Sequence, residues 1–147
     1  MYSQARLSSV IVVLVSDRFN WRCSNVLSGV GDPYSSSAAI AFEQAAKNKG
    51  IDVCTKAEYN AGSDDMSKAI KQIIDNNCCL ATVIFGQSKD LALLLVEGQK
   101  QGYAGEWIIG NNIVSSLDTV VKHMRAHIDE AATHKLLGGV CEVCFEK

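Results

Sequence analysis

Six cysteines, three histidines and a scatter of carboxylates are the residues of this chain that could do chemistry, and their spacing limits what that chemistry could be. Cys141 and Cys144 form a CxxC. A zinc site wants a second pair of ligands at defined spacing, and none accompanies this one, so the motif reads as two ordinary cysteines. Cys78 and Cys79 are adjacent and poorly placed to pair with each other, and Cys54 lies in an apolar stretch where a small buried thiol is expected. The pairing of Cys23, Cys54, Cys78, Cys79, Cys141 and Cys144 stays open. His123, His127 and His134 stand at i, i+4 and i+11, within about 40° of one another on a helix, with Glu130 near the same line. The stripe borders an apolar face on the last helix and reads as solvated rim histidines, so no metal is expected.

An enzyme would need a nucleophile with its base, paired carboxylates or a cofactor loop. Ser16 and Asp17 follow an apolar run but have no histidine near a strand end. Gly29 and Gly31 do not open a helix directly from a strand, as a phosphate-binding turn would. No catalytic residue and no cofactor is expected.

The bulk composition is that of an ordinary globular protein. At 147 residues the chain is one domain by length, with 48% hydrophobic and 20% charged residues and a net charge of -2. Lys and Arg are scattered without interleaved aromatics, which sets nucleic acid aside. No run reaches the 18 or so apolar residues of a membrane helix, so no membrane insertion is expected. Arg6 followed by Val10 to Val15 has the character of a secretory signal, but the run is short and lacks a small-x-small cleavage site. It reads better as a buried strand.

The elements that must position any site are organised around residues 80–112. Leu80 to Phe85 is apolar without alternation, the pattern of a strand covered on both faces. Gly86 ends it, Ser88 is placed to cap the next helix, and Asp90 falls in its first turn, where the dipole favours an anion. Leu91, Leu94 and Leu95 recur at helical spacing, Gly102 and Gly105 mark the exit, and Trp107 to Ile109 form the next strand. The remaining expected elements are a strand over Val10 to Val15, a helix over Ser36 to Lys49, a strand over Ile51 to Thr55 and a helix carrying Met66, Ile70, Ile73 and Ile74. A further helix from Ser115 or Ser116 to about Thr133 and a last strand from Val140 to Phe145 complete the chain. The strand starts are separated by 41, 29 and 27 residues. The first unit is oversized, and its surplus over residues 18–32 reads as an irregular, mobile insertion.

Ser9-Val-Ile-Val-Val-Leu-Val-Ser-Asp17, the Asp32-Pro-Tyr-Ser-Ser-Ser-Ala-Ala helix start, Tyr59-Asn-Ala-Gly-Ser-Asp and Val83-Ile-Phe-Gly with Gly105-Glu-Trp-Ile-Ile-Gly110 together resemble the receptor family ligand-binding region. The resemblance implies a three-layer α/β/α fold with a mainly parallel sheet, one lobe of a type I periplasmic-binding-protein-like module. Residues 1–147 would form that single lobe, with strand–helix repeats over 10–134 and a segment over 135–147 returning towards the other lobe. It further implies a non-catalytic sensor lobe of an extracellular or cell-surface receptor, or of a solute-binding protein. Its partner would be a small-molecule ligand in a cleft completed by a missing first lobe, and the resemblance leaves a dimer open. In open α/β sheets ligands bind beyond the carboxyl ends of the strands, so the expected ligand-binding residues are Ser16, Asp17, Tyr34, Phe85, Gly86, Gln87, Asn111 and Asn112. Tyr34 stands at the family's aromatic position and Ser35 where a glycine is usual. Asn112 stands where amino-acid-binding members often place an aspartate, and a neutral amide cannot pair with an ammonium group. The alternative is a free-standing flavodoxin-like intracellular domain, a degenerate enzyme or an interaction module.

Overall fold

The computed structural model describes residues 22–76, 78–111, 117–132 and 140–141. Its strands are Cys23–Val30 (β1), Asp52–Asn60 (β2), Ala81–Gly86 (β3), Glu106–Asn111 (β4) and Val140–Cys141 (β5). Between them lie helices Pro33–Asn48 (α1), Ser67–Asn76 (α2), Ser88–Gln101 (α3) and Leu117–Arg125 (α4). The strands pair in the order β2-β1-β3-β4-β5, every pair parallel.

Side-chain alternation builds two cores from one sheet. Val26, Val83 and Ile108 face α1, where Ala38, Ala39, Phe42 and Ala46 meet them. Their neighbours Leu27, Ile84 and Ile109 point the other way, onto Met66 just ahead of α2, Ile70 and Ile73 of α2, Leu91, Leu94 and Leu95 of α3, and Val120 and Met124 of α4. The result is three layers, with helices on both faces of the sheet. β3 is buried along its whole length, as its unbroken apolar run requires. Each fully buried leucine or isoleucine contributes roughly 1.5–3 kcal/mol of transfer free energy.

The helix boundaries follow their local chemistry. Asp32 caps α1 by accepting from the Tyr34 and Ser35 amides at 3.1 and 3.3 Å, with Pro33 pre-set for the first turn. α1 therefore starts three residues before the expected Ser36. Gly50 follows it at φ 74°, the left-handed turn a helix exit favours. Gly102 ends α3 in the same conformation, at φ 80°. At the start of α3 the cap position belongs to Gln87, whose side chain makes no capping bond, and Ser88 is already helical.

One expectation is overturned. Residues 23–30 are not part of an irregular insertion: they are β1, a central strand paired on both sides. Strand starts at 23, 52, 81 and 106 make the repeat nearly even. β1 escapes an apolar-run criterion because its sequence, CSNVLSGV, buries polar residues. Ser24 and Asn25 are 0% and 1% exposed, with their hydroxyl and amide satisfied by the Asn25 carbonyl and Thr82 Oγ1. The expected strand over residues 10–15 lies outside the described residues.

The cysteines are also reassigned. Cys54 is exposed rather than a buried thiol and forms a disulfide with Cys78, while Cys23 pairs with Cys79. The Cα separations, 6.5 and 5.7 Å, suit such bridges. The adjacent Cys78 and Cys79 thus bind the start of β3 to β2 and to β1. Among the described residues, no helix is long and apolar enough to cross a membrane.

Candidate functional site

Strand order reverses between β1 and β3. The chain leaves β1 for α1 on one face and leaves β3 for α3 on the other, so the two carboxyl ends diverge. The β1–β3 ladder stops at Leu27 opposite Ile84, so Gly29 and Phe85, paired with β2 and β4 on their other sides, have no partner across this ladder. Two hydroxyls fill the gap. Ser35 Oγ accepts from the Gly29 amide at 2.7 Å and donates to the Phe85 carbonyl at 2.6 Å. Tyr59 Oη donates to the same carbonyl at 2.7 Å. Burial raises the Tyr59 pKa well above the ordinary phenol value, which keeps the hydroxyl a donor.

Glycine is required at both strand ends here. A Cβ at Gly29 would meet the Tyr59 ring at 2.9 Å, and one at Gly86 would overlap the Tyr59 hydroxyl. Above this plug the two helix starts are linked: Gln87 Nε2 donates to Asp32 Oδ2 at 3.4 Å. Asp90, in the first turn of α3, accepts from the Gly62 amide at 3.1 Å, tying the β2–α2 loop to the same edge. Burial, with a smaller repulsion from Asp32, raises the Asp90 pKa above the ordinary carboxylate value.

The expected site residues fall unevenly on this frame. Tyr34 and Gln87, both half-buried, stand at the starts of α1 and α3, and Gly86 and Asn111 are paired neighbours at the ends of β3 and β4. Ser16, Asp17 and Asn112 lie outside the described residues. Phe85 is corrected as a ligand contact: its ring is fully buried against Phe42 at 6.1 Å, and its carbonyl is already bonded to two hydroxyls. Asp32, Ser35, Tyr59 and Asp90 support the edge without having been singled out as site residues. The Asp-Pro pair and the turn after Tyr59 were the visible signals for two of them.

Chemically, this edge offers amide, hydroxyl and carboxylate groups on two helix starts. It has no histidine or cysteine among the described residues, and the Ser35 hydroxyl is bonded on both sides. The arrangement can hold a polar molecule. Two grooves of about 400 and 220 Å³ run elsewhere, between α1 and β2, and are crossed by the Glu43–Lys56 ion pair at 3.4 Å. They lack convergent helix starts.

Solved structures share this architecture. The leucine-binding protein LivK of Thermotoga maritima matches with a TM-score of 0.72 and 16% identity, over 87% of this chain and 35% of its own. The branched-chain amino acid transporter substrate-binding protein LivJ of Streptococcus pneumoniae, in complex with isoleucine, matches with a TM-score of 0.72 and 15% identity, over 86% and 34%. A type 1 periplasmic binding protein from Bordetella pertussis gives 0.72 and 15%, over 84% and 32%. At these identities the likeness shows the fold: this chain has the architecture of one lobe of a type I periplasmic binding protein and spans about a third of those structures. No curated protein matches it. The sequence matches the receptor family ligand-binding region over residues 1–145, and the chain belongs to that family.

Proposed function

We propose that this chain is a non-catalytic sensor lobe that binds a small polar molecule at the carboxyl edge of its sheet, in a cleft completed by a second lobe. The observation that carries the reading is the convergence of the α1 and α3 starts at the β1–β3 switch point, joined through Gln87 and Asp32. Tyr34, Gly86, Gln87 and Asn111 line the ligand face; Ser16, Asp17 and Asn112, expected from the family resemblance to contact the same ligand, lie outside the described residues. The ligand is held by hydrogen bonds, and the amide of Asn112 disfavours an α-ammonium group. In the two-lobed module, closure of the lobes around the ligand carries the signal, on the extracellular side of the membrane.

The flavodoxin-like alternative shares this strand order, so topology alone does not separate the two; the family match favours the receptor reading. A thermal-shift screen of the purified chain against amino acids, organic acids and nucleotides tests the half-cleft. A ligand binding only the native state raises the midpoint by an amount set by its concentration relative to Kd. Small shifts near the solubility limit are expected. Tight one-to-one binding by this chain alone would contradict the need for a second lobe, and a nucleotide hit would favour the alternative.

A further inference from the structure

The opposite, amino-terminal edge of the sheet gathers four cysteines from three separate segments. Cys23 opens β1, Cys54 lies near the start of β2, and Cys78 and Cys79 precede β3. The sulfurs of Cys54, Cys78 and Cys79 all lie within 4.8 Å of one another, and Cys23 joins the group through its bond to Cys79. The unbonded Cys78 and Cys79 sulfurs are 3.9 Å apart. Four thiolates around one zinc at about 2.3 Å stand roughly 3.8 Å from each other, so this edge of the tetrahedron is already in place.

From this geometry we infer that the cluster is a two-state staple: two disulfides when oxidised, and a tetrahedral zinc site of Cys23, Cys54, Cys78 and Cys79 when reduced. Closing the site requires each bonded sulfur pair to separate by roughly 1.7 Å, which rotation about the Cα–Cβ bonds supplies. Cys54 and Cys78 are exposed and have room for it. Polar neighbours suit the thiolate state as well. Thr55 Oγ1 lies 3.6 Å from the Cys78 sulfur and 3.9 Å from that of Cys54, near enough to donate to a coordinated thiolate. An all-sulfur tetrahedral set selects zinc over harder cations.

The interconversion balances. A dithiol reductant gives two electrons and two protons to each disulfide and becomes a disulfide itself, leaving four protein thiols. Zinc then displaces four protons as four Zn–S bonds form. Either state ties β1 and β2 to the start of β3, so the sheet edge stays closed in an oxidising or a reducing compartment.

The test uses the whole chain. Disulfides are reduced with a trialkylphosphine, which leaves as its oxide with oxygen from water. Zinc sulfate is added, excess metal is removed, and the retained metal is counted by emission spectrometry. One zinc per reduced chain is expected, with none on the oxidised chain, and cobalt in its place should give the visible bands of tetrahedral thiolate coordination. Retention should vanish in the Cys54→Ser/Cys78→Ser variant and persist in Cys141→Ser/Cys144→Ser. Circular dichroism follows the fold, and a reduced chain that loses structure must regain it with zinc. The proposal is overturned if the reduced chain retains no zinc, if retention follows Cys141 and Cys144, or if zinc binds without native structure.

Discussion

Replacing Ser35 by alanine removes one hydroxyl from the point where β1 and β3 separate, and the structure fixes the size of the loss. Ser35 and Phe85 are both 0% exposed. The hydroxyl accepts from the Gly29 amide at 2.7 Å, so the variant leaves a buried donor unpaired, at a cost of about 1–3 kcal/mol. It also removes one of two donors to the Phe85 carbonyl, a further loss of about 1 kcal/mol or less because Tyr59 still serves that oxygen. Ser35→Ala should therefore cost about 1–4 kcal/mol. Tyr59→Phe loses only the second donor and orphans nothing, so it should cost about 1 kcal/mol. The double variant strips the carbonyl of both donors and should exceed the sum of the singles by about 1 kcal/mol or more. Urea unfolding of the oxidised chain reads all three, with the Ser35→Ala midpoint falling by roughly 0.5–2 M at an ordinary slope. A Ser35→Ala variant within about 0.5 kcal/mol of wild type, or strictly additive singles, would refute the role assigned to this hydroxyl pair.

Further outcomes follow from the same edge and from its opposite. Gly86→Ala should destabilise by about 1–3 kcal/mol through overlap with the Tyr59 hydroxyl, and Tyr59→Phe in the same chain should recover part of that loss in urea titrations. Cys54→Ser/Cys78→Ser opens a bridge spanning 24 residues and should cost about 3 kcal/mol under oxidising conditions, read as a fall in Tm. Asp90, whose pKa is raised in the fold, binds a proton more readily folded than unfolded. Wild-type stability from this group is therefore gained as pH falls through the window between its ordinary and raised values, and is lost above it. Asp90→Asn should be the more stable protein at neutral pH, with its advantage shrinking as the medium is acidified through that window; an advantage constant with pH would count against the burial argument.

Long apolar or strongly periodic stretches were legible before any coordinates. β3, the stripe of α2 through Ile70 and Ile73, and the leucines of α3 all fall where periodicity puts them, while Met66 packs in the same core from just ahead of α2. β1 was not, because its demands are non-local. Gly29 is small to admit a tyrosine 30 residues later, and Asn25 is polar because Thr82 lies beside it. β2 was cut short at Thr55 for a different reason: beyond it the strand alternates buried and exposed residues at the sheet edge, through Lys56 and Glu58 to Asn60. The location of the candidate site followed from topology alone, but its supports did not. Ser35 and Tyr59 are ordinary residues until the splayed strand ends show which backbone groups need them.

A ligand held at the strand switch point meets one edge of the sheet and not the other. Amide chemical shifts of the labelled chain, titrated with small polar metabolites that include leucine and isoleucine, would decide it. The expected response is a set of fast-exchange shifts confined to Tyr34, Gly86, Gln87 and Asn111, with the amides of Cys23, Cys54 and Cys79 unmoved. Shifts centred on the cysteine edge or on the grooves beside β2, or no response to any compound near its solubility limit, would contradict a ligand face at the strand switch point.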